Sequence, residues 1–249
     1  MPGMQPPALH PAQHTFLDEQ GYLRLPGFLS RVTVLRIRQQ IVEELKRLKV
    51  WAGGSRSSPL AGIPPFQQIA RLSGLVKIPD LHDALVTPEL RGIVSALASG
   101  TRMGSQETQL LLSLPHQRDW TLDGLNWHVD IAADPLSRLP GLQVFFLIDD
   151  VAPHGGSTLA LAASHRHDLQ RGAGHLPLRA LLRTSSDVEG DLRRAGVTVV
   201  EMSGRAGDVY LMDMRVLHTP SINASRSVRM MATTRFFREE AARAVTPRG

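Results

Sequence analysis

Residues 126–130 read Asn-Trp-His-Val-Asp and place His128 and Asp130 two positions apart. On a β-strand, residues i and i+2 point to the same face, so an imidazole and a carboxylate converge there. Such a pair can chelate a divalent metal. Because the chain has ten histidines and 23 acidic residues, one H-x-D pair also arises by chance. The pair therefore needs further ligands to support a metal site.

A second group lies downstream, where a Gly-Asp turn leads into a strand and His218 follows. Asn223, Ser225 and Arg229 stand five, seven and eleven residues after this histidine. Two histidines and one carboxylate with open positions are typical of oxygen-activating non-haem iron, and His218 can supply the missing ligand. Arg229 can anchor an anionic co-substrate, because a guanidinium forms two parallel hydrogen bonds with a carboxylate. Taken alone, Arg229 is equally compatible with a surface position.

A third segment reads Asp-Asp-Val-Ala-Pro-His-Gly-Gly-Ser-Thr-Leu-Ala-Leu-Ala-Ala-Ser-His. The acidic pair 149–150 is predicted to end a strand, 155–156 to form a turn, and the next strand to run to 164–165. The loop histidines are expected to hold structure rather than metal: His116, His154, His165 and His167.

Taken in order, these motifs resemble the phytanoyl-CoA dioxygenase family over roughly residues 14–238. The resemblance is carried by H-x-D, GGSTLALAASH, Gly-Asp and H-x4-N-x-S-x3-R, together with the opening FLDEQGYLRLPGFLS and the helix after it. The family's middle segment usually reads N-G-x-L-x-x-x-P-G-S-H, and Ala162-Ala163 stand here in place of Pro-Gly. Members often have Ser or Thr two residues after the distal histidine, where this chain has Pro220.

The resemblance implies a double-stranded β-helix, a jelly-roll and cupin-like core with N-terminal helices packed outside. It implies that His128, Asp130 and His218 bind iron, and that Arg229 grips the distal carboxylate of 2-oxoglutarate. Phe145 falls where the family often has a large residue lining the co-substrate pocket, and Gln143 shares its face by strand parity. Either Thr219 or Ser221 is expected to supply the hydroxyl absent at Pro220. Two nearby arginines, Arg226 in the turn and Arg235 further along the strand, are expected to lie away from the co-substrate.

The implied cofactors are Fe(II), 2-oxoglutarate as co-substrate, and O2. The implied reaction hydroxylates an unactivated carbon of a small metabolite, an amino acid or a natural-product intermediate, and releases succinate and CO2. Related halogenases lack the carboxylate, so Asp130 favours hydroxylation, desaturation or ring closure. Two alternatives remain open: a cupin-like metal-dependent isomerase or hydrolase that does not use 2-oxoglutarate, and a non-catalytic small-molecule binder. Basic candidates for the cavity mouth are Arg71, Lys77, Arg118, Arg138 and Arg166.

The first half of the chain has the periodicity of helices. Ser30 is a suitable N-cap for a helix over 32–48, and 66–98 predicts one or two more, broken near Pro79 and Pro88. From about residue 102, short apolar or alternating runs lie between turn signals and predict strands. Helices followed by strands indicate an α+β, mainly β domain whose second half is a sandwich or barrel.

We expect a disordered tail at 1–12, one domain over 13–240 and a C-terminal tail at 241–249. The Gly-, Ser- and Pro-rich stretch 52–65 predicts a loop that can act as a lid. The absence of cysteine excludes disulfides and Cys-ligated metal.

The formal net charge is +5, but its arginines are scattered, so no nucleic-acid partner is expected. With no apolar run of about 18 residues and no signal-peptide pattern, a cytoplasmic monomer or homodimer without membrane contact is expected.

Overall fold

A computed structural model describes residues 9–52, 55–56, 63, 65–116, 119–132, 138–171 and 177–238. Its helices are α1 Pro11–Gln20, α2 Arg31–Arg47, α3 Pro65–Leu75, α4 Leu81–Leu85, α5 Pro88–Leu97, α6 Ser164–Arg171, α7 Leu178–Thr184 and α8 Val188–Ala195. Its strands are β1 Tyr22–Leu25, β2 Trp51–Ala52, β3 Ser55–Arg56, β4 Gly104–Ser105, β5 Gln109–Ser113, β6 Gly141–Leu147, β7 Thr158–Leu161, β8 Val199–Glu201, β9 Val209–Asp213, β10 His218–Pro220 and β11 Arg229–Phe237.

The strands form antiparallel sheets. The larger sheet has the order β1-β9-β6-β11-β4, with β5 also paired to β11. A three-stranded sheet has the order β10-β7-β8, and β2 pairs with β3. Strand β11 pairs with β6 along one edge and with β4 and β5 along the other, so its backbone is hydrogen-bonded on both sides.

Alternation along β6 sorts its side chains between two cores. Val144 and Phe146 pack in the large core beneath the helices. Phe145 packs instead in a smaller core that includes Ala160 of the three-stranded sheet. Successive residues of a strand face opposite sides, so Gln143 lies on the Phe145 side. Gln143 and Phe145 therefore share the face of β6 that is turned towards the three-stranded sheet.

Helix α2 follows the sequence expectation closely. The Ser30 hydroxyl accepts the Thr33 amide hydrogen at 3.1 Å, so it is the predicted N-cap. The buried face consists of Val34, Ile37, Ile41 and Leu45. Leu35, by contrast, is 51% exposed and takes no part in this face.

Four expectations about the elements are wrong. Helix α1 begins at Pro11, inside the predicted tail, because His10 caps it and proline suits a first helical position. Residues 164–165 begin helix α6 and do not end a strand. The segment 66–98 contains three helices. Among the described residues, helices span more of the chain than strands, so the described fold is α+β without being mainly β. The strands predicted from apolar or alternating runs beyond about residue 102 are present, as β5 to β9 and β11.

The predicted lid at 52–65 lies largely outside the described residues. In its described parts, β2 and β3 form a short hairpin, and α3 begins at Pro65. None of the helices in the described part of the chain combines the length and apolar content that a bilayer crossing requires.

Candidate metal centre and active-site cavity

The backbone holds the H-x-D segment against β10. His128 and His218 form a β-bridge in which each amide donates to the other's carbonyl, at 3.0 and 2.9 Å. The Asp130 amide donates to the Met214 carbonyl at 3.0 Å. Residues 128–130 thus do not form the regular strand that was expected, yet the three side chains still converge. One potential ligand atom from each of the three lies within 4.8 Å of the others.

The histidine tautomers follow from their hydrogen bonds. Nδ1 of His128 lies 2.9 Å from the Asn126 carbonyl, and Nδ1 of His218 lies 3.0 Å from the Val216 carbonyl. A carbonyl only accepts, so each Nδ1 carries the hydrogen and each Nε2 keeps a free lone pair. The His218 Nε2 is 3.8 Å from the Asp130 carboxylate. This donor set, two Nε2 atoms and a carboxylate, fits a divalent metal such as iron.

Burial reinforces the neutral state of His218. Removal from water lowers the pKa of its imidazole to about 4, although the Asp130 charge acts in the opposite direction. A neutral imidazole is the form that binds a metal. The ligand is therefore ready at neutral pH without losing a proton.

A cavity of about 870 Å³ opens over these residues. Its inner half is lined by His128, Gln143, Thr158, His218, Pro220, Arg229 and Arg235. Its outer half is lined by residues of α3, by the 76–83 segment and by residues 107–111. Pockets for drug-sized ligands measure about 300–1,000 Å³, so the cavity has room for a substrate beside a small co-substrate.

Arg229 is a buried cation in the inner half, only 4% exposed. One Nη1 hydrogen is donated to the Leu111 carbonyl at 3.0 Å, while Nε has no partner among the described residues. Burial lowers the pKa of the guanidinium to about 10, so it remains charged at neutral pH. A buried charge with an unused donor is costly unless an anion completes it.

Of the other residues predicted to contact the co-substrate, some line the cavity and some do not. Gln143 lines the cavity, as parity indicated. Phe145 is 2% exposed and packs between the sheets, where it is not among the lining residues. Thr219 and Ser221 also miss the cavity lining, because alternation along β10 turns His218 and Pro220 inward.

The hydroxyls of Thr219 and Ser221 are engaged elsewhere. That of Thr219 donates to the Pro220 carbonyl at 3.2 Å, and that of Ser221 donates to the Ser157 carbonyl at 2.8 Å. The inward hydroxyl beside Pro220 belongs instead to Thr158, its cross-strand partner on β7 and a lining residue. Thr158 was not identified from the sequence. A signal was available, because Thr158 stands at the position where the family segment N-G-x-L usually has leucine.

Arg235, which was expected to lie away from the co-substrate, contacts the metal-ligand candidate Asp130. Its Nε and Nη2 lie 3.3 Å from the two carboxylate oxygens of Asp130, and it lines the cavity. The reason is parity, because residues an even number apart on β11 share a face. Arg226, in contrast, is exposed in the turn, as expected.

The Asn and Ser of the downstream motif build the turn between β10 and β11. The Asn223 amide donates to the Ser113 and Ser227 carbonyls, both at 2.9 Å, and its carbonyl accepts the Ser225 hydroxyl at 2.6 Å. Gly156 packs so closely that an added Cβ would lie 2.6 Å from the Asn223 Cβ. This turn fixes the path of the chain from His218 to Arg229.

The proposed basic residues of the mouth are dispersed. Lys77 lines the outer half of the cavity. Arg138 and Arg166 line a separate cavity of about 580 Å³. Arg71 is exposed and is not a lining residue, and Arg118 lies outside the described residues.

The other loop histidines are not among the cavity-lining residues, in agreement with their expected structural role. In α6, Nε2 of His165 lies 3.0 Å from the Asp18 carbonyl. The His154 ring stacks on Trp120 with 4.3 Å between ring centroids.

Solved structures with a similar fold include enzymes described as non-haem and α-ketoglutarate dependent. The α-ketoglutarate-dependent carbocyclase SnoK from nogalamycin biosynthesis has a TM-score of 0.60 at 25% identity, covering 92% of this chain and 84% of its own. The epimerase SnoN, in complex with Fe3+, α-ketoglutarate and nogalamycin RO, has a TM-score of 0.56 at 17% identity, with 91% and 82% covered.

EctD from S. alaskensis, solved with 2-oxoglutarate and 5-hydroxyectoine, has a TM-score of 0.58 at 17% identity, with 94% and 77% covered. Comparison with curated protein sequences produced no match.

A family model agrees with the motifs and the fold. The model described as phytanoyl-CoA dioxygenase (PhyH) matches residues 17–231, which span most of the chain and include all three metal-ligand candidates. The prediction of iron and 2-oxoglutarate as cofactors is confirmed at the level of the family, since neighbouring structures hold both and the His-Asp-His group can bind iron. The chain belongs to the phytanoyl-CoA dioxygenase family.

Proposed function

We propose that this protein is an Fe(II)- and 2-oxoglutarate-dependent dioxygenase that oxidises an unactivated carbon of a small metabolite. His128, Asp130 and His218 hold the metal, and hydroxylation is the reaction that we favour. We also infer that the two main sheets form a double-stranded β-helix, with α2 to α5 packed on its outer face.

Arg229 carries this proposal. It lines the same cavity as His128 and His218, is almost completely buried, and its Nε–H has no partner among the described residues. A dicarboxylate that reaches the metal with one end and Arg229 with the other satisfies this charge. A cupin-like isomerase or hydrolase has no need for a buried cation at this position, and a vestigial binder has no reason to bear its cost.

The remaining inner-half residues orient the co-substrate. Thr158 can donate its hydroxyl to a carboxylate oxygen, in the role we expected of Thr219 or Ser221. Pro220, opposite, offers no donor and helps to exclude water. Iron(II), once bound, supplies the oxidising chemistry with O2 and 2-oxoglutarate, with succinate and CO2 as co-products. The protein positions the target carbon and keeps the centre dry.

The substrate occupies the outer half of the cavity. Phe66 and Ile69 provide an apolar wall there, while Lys77, Asp83 and Glu107 bring charges of both signs. This mixture suits a molecule with an apolar body and several polar groups. Neighbours from nogalamycin biosynthesis support a natural-product intermediate, and EctD supports an amino-acid derivative. Because SnoK is a carbocyclase and SnoN an epimerase, ring closure and epimerisation are the second candidates.

The test is succinate formation from 2-oxoglutarate in a panel of amino acids and polycyclic or glycosylated metabolites, with product mass recorded. A product heavier by one oxygen supports hydroxylation, a loss of two hydrogens supports ring closure or desaturation, and unchanged mass with altered stereochemistry supports epimerisation. Oxidation of panel compounds without 2-oxoglutarate consumption by the iron-loaded protein would refute the proposal. The His218→Ala variant is the control for free iron.

A further inference from the structure

The contact between Arg235 and Asp130 differs from an ordinary buried ion pair in this molecule. In the pair Arg215–Asp213, the shortest nitrogen–oxygen distance is 2.6 Å, and both side chains are under a tenth exposed. Both contacts from Arg235 to Asp130 are 3.3 Å, whereas a tight charge-assisted hydrogen bond measures about 2.7–2.9 Å. Arg235 thus orients the carboxylate without binding it tightly.

The position of Arg235 is fixed by its backbone. It is paired with Gln143 across the ladder between β11 and β6, and its carbonyl accepts the Gln106 amide hydrogen at 2.9 Å. Its guanidinium reaches Asp130 from a central strand of the larger sheet. Arg229 lies on the same face six residues away, which separates the two Cα atoms by roughly 20 Å along an extended strand. The two arginines contact different groups: Arg235 contacts Asp130, and Arg229 contacts the Leu111 carbonyl.

Gln143 supplies a second observation at this end of the cavity. The Thr233 hydroxyl donates to the Val144 carbonyl at 2.9 Å, so the Gln143 Nε2 must be the donor in its 3.2 Å contact with Thr233. Gln143 Oε1 is then a buried acceptor without a partner among the described residues. Gln143 is the cross-strand neighbour of Arg235. 2-Oxoglutarate lacks hydrogen-bond donors when ionised, so it cannot satisfy this acceptor, and this part of the cavity is not matched to the co-substrate.

We propose that Arg235 is a positioning residue that presents the Asp130 carboxylate to the metal. Its fork touches both carboxylate oxygens and fixes their plane, while the 3.3 Å separation leaves Oδ2, 3.8 Å from His218 Nε2, available to a cation. This inference rests on the proposed metal centre, and it assigns Arg235 to the metal carboxylate, separate from the co-substrate.

The test is calorimetric titration of the metal-free protein with Ni(II), which binds nitrogen ligands more tightly than Fe(II). Loss of a partner that orients a metal ligand typically costs about 10- to 100-fold in affinity. We expect a loss of this size in Arg235→Gln, partial recovery in Arg235→Lys, and none in the control Arg226→Gln. Unchanged affinity in Arg235→Gln overturns the proposal. Tighter binding also overturns it, because Arg235 would then compete with the metal.

A double-mutant cycle separates positioning through Asp130 from general damage. The Asp130→Gly background keeps both histidines and should still bind Ni(II), although more weakly, because Ni(II) binds nitrogen ligands more tightly than Fe(II). In this background, Arg235→Gln should cause no further loss of Ni(II) affinity, and a further loss equal to that in the parent overturns the proposal. Thermal unfolding of the metal-free variants identifies misfolding, in which case Arg235→Lys carries the test. The proposed function fails separately, if the parent protein binds no Ni(II) or if His218→Ala binds it as tightly.

Discussion

The two halves of the cavity differ in how their side chains are held. In the inner half, the metal-ligand candidates and Arg229 lie on or against strands, and backbone hydrogen bonds link the ligand-bearing segments directly. In the outer half, α3, α4 and the segment between them provide most of the wall, and Lys77, Asp80 and Asp83 are exposed. The comparison indicates that the sheets fix the shared chemistry, whereas the helices determine which substrate is accepted.

The largest effect is expected at the metal-ligand candidates. His218→Ala removes a buried imidazole whose Nε2 has no substitute nearby, so stoichiometric Fe(II) binding and turnover should both be lost. Replacement of His128 or Asp130 by Ala should have the same result. The control is His154→Ala, because His154 is exposed and stacks on Trp120 away from the cavity lining. Metal analysis of the purified variants decides the point: full iron occupancy in all three contradicts the assignment.

The next effect is expected at Arg229. Removing one partner of a buried charge pair typically costs about 2–5 kcal/mol, and about 1.4 kcal/mol is a factor of ten. Arg229→Gln should therefore weaken 2-oxoglutarate binding at least roughly thirtyfold, with iron content unchanged. Arg229→Lys should recover part of this loss. Anaerobic titration of each variant with 2-oxoglutarate measures the effect. Parental affinity in Arg229→Gln would show that Arg229 does not anchor the co-substrate.

A stability effect is expected at Asp208, which holds the start of β9. Burial alone would raise the pKa of its carboxyl, but hydrogen bonds from the Gly27 and Arg205 amides and from Arg24 outweigh it and lower the pKa. A lowered folded-state pKa contributes stability above the unfolded pKa, about 3.9, and loses it as pH falls towards the folded value. Asp208→Asn should cost about 2 kcal/mol at pH 7, and progressively less below about pH 4.

Urea unfolding across this pH range tests the Asp208 prediction. The matched control is Asp149→Asn, since the ion pair of Asp149 with Arg38 is partly exposed to solvent and is expected to contribute under about 1 kcal/mol. An Asp208→Asn cost that stays constant from pH 7 to pH 3 contradicts the assigned pKa direction. Affinity for 2-oxoglutarate should remain parental in both variants, because Asp208 and Asp149 affect the stability of the fold and do not contact the cavity.

A smaller effect is expected at Thr158. A hydrogen bond to a charged group contributes about 1.5 kcal/mol, so Thr158→Val should weaken 2-oxoglutarate binding about tenfold. Thr219→Val should have little effect on 2-oxoglutarate affinity, because Thr219 does not line the cavity and its hydroxyl already donates to the Pro220 carbonyl. If Thr219→Val weakens binding and Thr158→Val does not, the inward face of this ladder has been misidentified.

The smallest effect on iron and 2-oxoglutarate binding is expected from substitutions in the outer half of the cavity. Lys77→Ala and Asp83→Asn should change iron and 2-oxoglutarate affinity by no more than about twofold, as for ordinary surface substitutions. They should instead change the relative conversion of compounds in the substrate panel. A tenfold loss of 2-oxoglutarate affinity in either variant would show that the two halves are not independent.

The sequence was informative wherever spacing along one strand determines geometry. His128, Asp130, His218 and Arg229 could be selected from short motifs. Both histidines and Arg229 line one cavity, and Asp130 lies within 4.8 Å of the histidine ligand atoms. Parity also placed Gln143 correctly. The same rule, applied to β11, places Arg235 on the face of Arg229, although this conclusion was not drawn from the sequence.

Pairing between distant strands was not available from the sequence. Thr158 lies beside Pro220 because of the register of β7 against β10, 62 residues apart along the chain, which no local pattern specifies. The helical wall of α3 and α4 was likewise invisible, since no motif marks residues that meet a cavity only through tertiary packing. Expectations for Phe145, Thr219 and Ser221 came from resemblance, and burial or alternation directs these side chains elsewhere.

The most direct test of the central claim is an anaerobic titration of the parent protein with Fe(II) and then 2-oxoglutarate, followed by visible absorption. A carboxylate and an adjacent keto oxygen that bind the same iron give a weak charge-transfer band. We predict that this band appears with saturable 2-oxoglutarate dependence in the parent, is absent in His218→Ala, and requires at least roughly thirtyfold more 2-oxoglutarate in Arg229→Gln. An iron-loaded parent that shows no band at saturating 2-oxoglutarate would contradict the account.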